Sequence, residues 1–380
     1  LAAPELTYRT ARSLDIVDDD FCWETRALAR SQQSPLSISS SVPTEERSQM
    51  PCVLITPEAL RNVEGRHTQI LSEAGFRISY PKNSEFARGR CDEEECVDEL
   101  MVADALIAGA EFITASLLDR LPRLRVIARC GVGFDRVDIP AATARNVLVT
   151  ITPTAVHDAV AEHALALLFA ISKNILAGDR ATRAGLWPRT LIDPIRGKTI
   201  GILGLGRIGR SMAVRSAALG MTVIAHDPFA DEAFARDRNI ELVDLDTLVE
   251  RCDVLSIHCP NNSTTAGMIN RDVFERMKPT AILINTSRGP IVKERDLVAA
   301  LRNKSIKAAG LDVYETEPPD KDNPLFSLEN VVLTPHAAGA DSLAMRNMAI
   351  EAASCVAQLY RGTWPENAVV NHQLRESWKW

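Results

Sequence analysis

Four groups able to do chemistry each follow a short apolar run in the second half of the chain: His258 after VLSI, Thr286-Ser287-Arg288 after AILIN, Asp312 after AAGL, and His336 after VVLTP. An imidazole titrates near neutral pH, so His336, set in a tight turn between Pro335 and Ala337-Ala338-Gly339, is the natural proton carrier. Arg288 offers a permanently charged planar fork that can hold a carboxylate and polarise an adjacent carbonyl oxygen. Glu317, on a loop stiffened by Pro318-Pro319, is the carboxylate expected to stabilise an imidazolium at His336, whereas Glu315 reads as an ordinary surface acid. Singly, each of these residues is more often structural. Together they make an acid–base pair beside an anion clamp, the set needed to reduce a 2-oxo acid by hydride transfer.

Such a set needs an element that brings distant strand ends together, and residues 198–227, KTIGILGLGRIGRSMAVRSAALGMTVIAHD, supply it. The spacing predicts a strand, a Gly204-x-Gly206-x-x-Gly209 turn, a helix stopped by Gly220, and a second strand ending at Asp227. Gly204 permits the turn, Gly206 leaves room for a pyrophosphate, and Gly209 lets the helix lie close to the strand, while the helix amino terminus faces the phosphates. Asp227 can accept both ribose hydroxyls and would repel a 2'-phosphate. Pro228 follows it, so no adjacent arginine offsets that charge, and NAD is expected rather than NADP. In a doubly wound sheet the ligand crevice lies outside the carboxyl ends of the strands, where the four groups would converge.

The remaining organisation fits an α/β chain of two doubly wound parallel-sheet lobes. From 51 to about 150, apolar strands at Val53–Ile55, Ala105–Ile107, Val126–Ala128 and Leu148–Thr150 alternate with helical stretches. Residues 158–173, DAVAEHALALLFAISK, are apolar nearly all round, which predicts a buried helix between lobes or subunits and suggests a homodimer. The last patterned helix, 343–360, is expected to return to the first lobe. The boundaries are therefore a substrate domain of 51–153 plus 340–371, flavodoxin-like, interrupted by a Rossmann NAD-binding domain of 154–339. Residues 1–49, Ser- and Pro-rich toward their end and crowded with acids, read as a flexible extension without a catalytic role, with Met50 as the functional start.

Composition narrows the partners. With 46% hydrophobic residues and a net charge of −7, no basic stripe calls for nucleic acid, and the longest apolar run, 164–171, is too short to cross a bilayer. Eight cysteines lie scattered without a paired framework, as expected of reduced cytoplasmic thiols, and CDEEEC at 91–96 reads as a solvated acidic face rather than a metal site. No metal is needed.

In order and spacing, GILGLGRIG, LINTSRGPIV, AAGLDVYETEPP and VVLTPHAAG resemble the signatures of the D-isomer-specific 2-hydroxyacid dehydrogenases. RCGVGFDRVD and VAEHALALL are similar to that family's substrate loop and interlobe helix, so the resemblance covers roughly 51–371. It implies that Arg288 binds substrate, that Glu317 and His336 are the acid–base pair, and that the Val132-Gly133 backbone cradles the substrate carboxylate. It further implies a cofactor site of Gly204, Gly206, Arg207, Ile208, Gly209, Asp227, Cys259, Pro260, Thr265, Thr286, Ser287, Asp312, Ala338 and Gly339, with Asp312 on the nicotinamide amide. The implied reaction interconverts a small D-2-hydroxy acid and its 2-oxo acid, glyoxylate- or hydroxypyruvate-like, and the alternative is an NAD-sensing corepressor on the same fold.

Two departures stand out. Family members often carry Asn at the positions of Arg136 and Ile151. In addition, no Lys or Arg follows the Ala108-Gly109-Ala110 loop before Arg120, which argues against a phosphorylated acid.

Overall fold

The computed structural model describes residues 50–86 and 89–380, so the expected extension over 1–49 lies outside the described residues. Two sheets, parallel throughout, organise the chain. The first contains β1 (Cys52–Ile55), β2 (Arg77–Ser79), β3 (Ala105–Ala108), β4 (Val126–Arg129) and β5 (Leu148–Thr150), ordered β2-β1-β3-β4-β5. The second contains β6 (Thr199–Leu203), β7 (Thr222–His226), β8 (Glu241–Leu242), β9 (Val254–Ile257), β10 (Ile282–Asn285), β11 (Ala308–Leu311) and β12 (Val331–Leu333). Their order is β12-β11-β10-β9-β6-β7-β8. Every residue of β1, β3, β4, β9, β10 and β11 is buried, because helices cover both faces and leave no side for alternating polar residues.

Strand order reverses where β6 meets β9, and the connections after these two strands leave on opposite faces. A crevice opens outside their carboxyl ends, at the point where the glycine turn follows β6.

Helix His157–Ser172 touches both lobes, unequally. It packs inside the second lobe, with Ala164, Leu167 and Leu168 against Ile200, Ile202 and Ile284. The approach is close enough that a side chain at Gly310 would come within 3.0 Å of the Leu167 Cβ. Only its first turn, through Val156, Ala159 and Val160, reaches the long helix Ser342–Tyr360 at Ala344 and Met348. Further along, Ala349, Ala352, Ala353 and Val356 of that long helix pack on Val53, Ile55 and Ala128 of the first sheet. The exposed apolar surface lies elsewhere: Ile175, Leu176, Leu186, Trp187, Leu191 and Ile192 all face solvent. Among the described residues, no single helix is long and apolar enough to cross a membrane.

The CDEEEC segment is more ordered than its charge suggests. Asp92 Oδ1 accepts the Glu95 N–H at 3.0 Å and Glu95 Oε2 accepts the Asp92 N–H at 3.0 Å, a reciprocal cap that starts helix Glu93–Leu100.

Candidate active site

The glycine turn is built by close contact. Gly204 has φ +96°, and a Cβ there would lie 2.6 Å from the Cys259 nitrogen; one at Gly209 would collide with the Gly204 carbonyl oxygen. Gly206 meets nothing within 4 Å, and no side chain caps helix Arg207–Ala218, so the N–H groups of its first turn, from Arg207 and Ile208 onward, have no side-chain partner at this end. Asp227 is fixed at the end of β7, with Oδ2 accepting the Leu205 N–H at 2.7 Å and Oδ1 accepting that of Phe229 at 2.8 Å.

The opposite rim comes from the ends of β9 and β10. Ser287 Oγ donates to the Cys259 carbonyl at 2.5 Å, and Thr265 Oγ1 donates to that of Pro260 at 2.6 Å. Asn285 shapes the loop between them, its amide donating to the Arg288 carbonyl and its oxygen accepting the Ser287 N–H, each at 3.0 Å. Thr286 Oγ1, Asn261 Oδ1 and His258 Nδ1 are buried there without a protein partner, a polar lining that fits a hydrogen-bonding cofactor such as NAD. Burial holds His258 neutral by bringing its pKa down to about 4, and its Nε2 pairs with Ser256 Oγ at 2.8 Å. Burial also pushes the Cys259 thiol up to about 11, which makes a nucleophilic role unsuitable.

At the end of β12 the chain turns sharply. His336 has φ +53°, a left-handed conformation costly for a histidine, and its N–H donates to the Asp312 carbonyl at 2.8 Å. The fully buried Asp312 carboxylate accepts Thr334 Oγ1 at 2.5 Å, Ala337 N–H at 2.9 Å and Ala338 N–H at 2.8 Å. Here Asp312 organises the proton carrier's turn. His163, on helix His157–Ser172, joins this network at 2.9 Å from Thr334 Oγ1.

His336 Nδ1 meets Glu317 Oε2 at 2.7 Å, which leaves Nε2 as the ring nitrogen able to face substrate. Glu317 Oε1 accepts the Tyr314 N–H at 3.2 Å. Burial pushes the Glu317 carboxyl upward, but the hydrogen bond and charge of His336, the Tyr314 N–H and the Arg136 charge outweigh it and hold the group below the usual carboxylate range. Arg288 lies beside the first lobe, its Nε 2.9 Å from Asp135 Oδ1 and its Nη1 donating to the Ser287 carbonyl at 2.7 Å. Gly133 faces the same guanidinium so closely that any side chain would collide with it.

The expected site residues therefore fall into two groups that meet at one cleft. Gly204, Gly206, Arg207, Ile208, Gly209 and Asp227 line one side of the crevice; Cys259, Pro260, Thr265, Thr286 and Ser287 form the other, with Arg288, Asp312, Glu317, His336, Ala338 and Gly339 at the next strand ends. Val132 and Gly133 reach the cleft from the first lobe. Behind them Arg129 donates from Nε to the Gly133 carbonyl at 3.2 Å and from Nη1 to that of Gly109.

Sequence reasoning assigns Asp135 and Arg136 no role at the site, although Arg136 stands out as a departure. Adjacent in the chain, they hold Arg288 and Glu317 respectively, Arg136 Nη2 lying 3.1 Å from Glu317 Oε2. The signal was an acid and a base beside the glycines of RCGVGFDRVD. The Gly109-Ala110 loop has no cation nearby in sequence, yet Arg129 and Arg136 both donate to its carbonyls, Arg136 at 2.5 Å from that of Ala110.

These features define a two-lobed α/β dinucleotide-binding protein with an imidazole–carboxylate pair and a guanidinium at its cleft. Residues 165–338 match the family described as D-isomer specific 2-hydroxyacid dehydrogenase, NAD binding domain. The chain is 43% identical over 270 residues to D-3-phosphoglycerate dehydrogenase of Mycobacterium leprae, a match covering 70% of this chain and 51% of the relative. It is 40% identical over 291 residues to glyoxylate reductase of Thermofilum pendens, covering 74% and 85%. The structure of D-lactate dehydrogenase from Aquifex aeolicus with NAD and lactic acid superposes with a TM-score of 0.73 at 25% identity, covering 84% of this chain and 99% of that one. The chain belongs to the D-isomer-specific 2-hydroxyacid dehydrogenase family and carries its NAD-binding domain. It spans about half the length of the mycobacterial phosphoglycerate dehydrogenases it matches.

Proposed function

We propose that this protein is an NAD-dependent oxidoreductase that interconverts a small D-2-hydroxy acid and its 2-oxo acid, glyoxylate- or hydroxypyruvate-like. The observation that carries the reading is the His336–Glu317 contact of 2.7 Å at a cleft where Arg288 packs on Gly133. NAD, when bound, supplies the hydride couple. Arg288 and the Val132-Gly133 backbone hold the substrate carboxylate, and the guanidinium polarises the neighbouring carbonyl. His336 Nε2 gives its proton to the oxygen that becomes the hydroxyl, and takes it back in the oxidative direction. Glu317 keeps the ring oriented and balances its charge. Reduction therefore needs protonated His336 and fails as pH rises, while oxidation needs the neutral ring and fails as pH falls.

In this reading Gly204, Gly206, Arg207, Ile208 and Gly209 receive the pyrophosphate and Asp227 the ribose. Cys259, Pro260, Thr265, Thr286, Ser287, Asp312, Ala338 and Gly339 complete the cofactor site. The substrate domain is 51–153 with 340–371, and the NAD-binding domain is 154–339. The exposed apolar surface from Ile175 to Ile192 supports a homodimer. The seven free cysteines among the described residues are compatible with the cytoplasm.

The test is loss of nicotinamide absorbance when purified protein and NADH meet 2-oxo acids of graded size and charge, a phosphorylated one included, with NADPH as comparison. NADH oxidation with small unphosphorylated acids supports the proposal. Absence of turnover on the whole panel contradicts it.

A further inference from the structure

Arg136 sits where it can act on chemistry from the far side of the cleft. It leaves the first lobe between Asp135 and Val137, its guanidinium stacks 4.7 Å from the centre of the Phe112 ring, and its Nη1 is anchored on the Ala110 carbonyl at 2.5 Å. Its Nη2 reaches Glu317 Oε2 at 3.1 Å, and both side chains keep only 18% exposure. That oxygen is the one His336 Nδ1 meets. With Tyr314 N–H on the other oxygen, Glu317 is held from three directions, and only one of them belongs to the opposite lobe.

We propose that Arg136 is a positioning residue of the acid–base pair, a first-lobe cation that fixes the Glu317 carboxylate against His336 and so completes the pair when the two lobes are together. The inference rests on the proposed oxidoreductase reading. Two consequences follow from the geometry. The carboxylate cannot swing away from the ring while Arg136 holds it, so proton transfer has a fixed donor axis. The cation also shares the oxygen that stabilises the imidazolium, so its positive charge opposes ring protonation.

The other charged groups around the pair are accounted for. Asp312 lies behind the turn with its oxygens on Thr334, Ala337 and Ala338, and His163 Nε2 stands 3.5 Å from its Oδ1. The Tyr314 hydroxyl donates to the Thr334 carbonyl at 3.0 Å, and burial pushes it up to about 12, so it stays neutral. Glu294 is engaged by the Glu315 N–H and by Asn323, and Arg288 is paired with Asp135. Arg136 is therefore the cation whose removal changes the charge at Glu317 while leaving these partners in place.

The test compares Arg136→Asn, which removes the charge and keeps a polar side chain, with Arg136→Lys. The first readout is an NMR pH titration of the His336 ring in the complex with NADH, assigned by difference from His336→Gln. It needs no turnover, so failure of the oxidoreductase reading does not silence it. Arg136→Asn should move the titration midpoint upward by about half to one pH unit, with Arg136→Lys returning most of that shift. The second readout is kinetic. The alkaline limb of kcat/KM for reduction should move upward by the same interval, and kcat at its plateau should fall about tenfold as the carboxylate loses its anchor. A titration unchanged in Arg136→Asn overturns the inference. So does a loss confined to KM for dianionic acids, which would make Arg136 a substrate contact instead. An inactive wild type would refute the oxidoreductase reading alone.

Discussion

A single methyl group at Gly133 tests how the substrate clamp is assembled. In Gly133→Ala the new Cβ would lie 2.8 Å from the Arg288 Cζ, against the 3.4 Å at which ordinary contact begins, and closer still to Nη2. The guanidinium tip must withdraw by well over an ångström. The obstacle is the tip of a flexible side chain, and Gly133 does not have a positive φ, so the fold can accommodate the change at a cost of about 1 kcal/mol or less. Catalysis should not tolerate it. Displacement of about 1 Å from a reacting geometry costs on the order of a hundredfold in rate, or about 3 kcal/mol of transition-state stabilisation. The expected outcome is a fall of about a hundredfold in kcat/KM for the best 2-oxo acid, with NADH affinity and thermal midpoint close to wild type. The assays are steady-state kinetics, NADH fluorescence titration and thermal melting. Retention of kcat/KM within about threefold would show that Arg288 does not need its present position against Gly133.

Further outcomes follow from the same geometry. Arg288→Lys should lose most activity, because an ammonium cannot reproduce a fork that meets Asp135 and Ser287 at once; kcat/KM near wild type would contradict the clamp. Asp227→Ser removes the charge that excludes a 2'-phosphate and should raise the NADPH-to-NADH ratio of kcat/KM by about tenfold or more, an unchanged ratio counting against Asp227 as the ribose ligand. His258 has its pKa lowered from 6.5 to about 4 by burial, so the unfolded chain binds its proton first and stability falls as pH drops through that window. The loss attributable to it is about 3 kcal/mol, measurable by urea unfolding at several pH values, and His258→Gln should flatten the acid limb.

How much of this was legible beforehand depended on whether the signal was local. The second lobe was largely readable, since β6, β9, β10 and β11 are mostly apolar, β6 runs into the glycine turn, and the other three each lead into a polar group that the parallel topology must place on one edge. β2 and β8 escaped notice, because short edge strands with exposed or half-buried residues leave no apolar run. Helix His157–Ser172 was recognised as buried, but composition cannot say against what, and the answer is mostly helix Arg207–Ala218 and strands β10 to β12 within its own lobe. The chemistry of Glu317, His336 and Arg288 was visible in residue type. Their restraint was not, because it comes from Asp135 and Arg136 across the cleft and from His163 behind the turn, contacts between residues more than a hundred positions apart. The same blindness made the Gly109-Ala110 loop look free of cations.

The central claim is that His336, held by Glu317, carries the proton in hydride transfer to a 2-oxo acid. Its most direct test is to compare reduction and oxidation by wild type and His336→Gln across pH, with NADH binding measured alongside. The account predicts that wild-type reduction falls and oxidation rises with increasing pH, while His336→Gln loses about a hundredfold to ten-thousandfold in kcat in both directions yet still binds NADH. Parallel pH profiles in the two directions, or a variant that turns over at the wild-type rate, would contradict it.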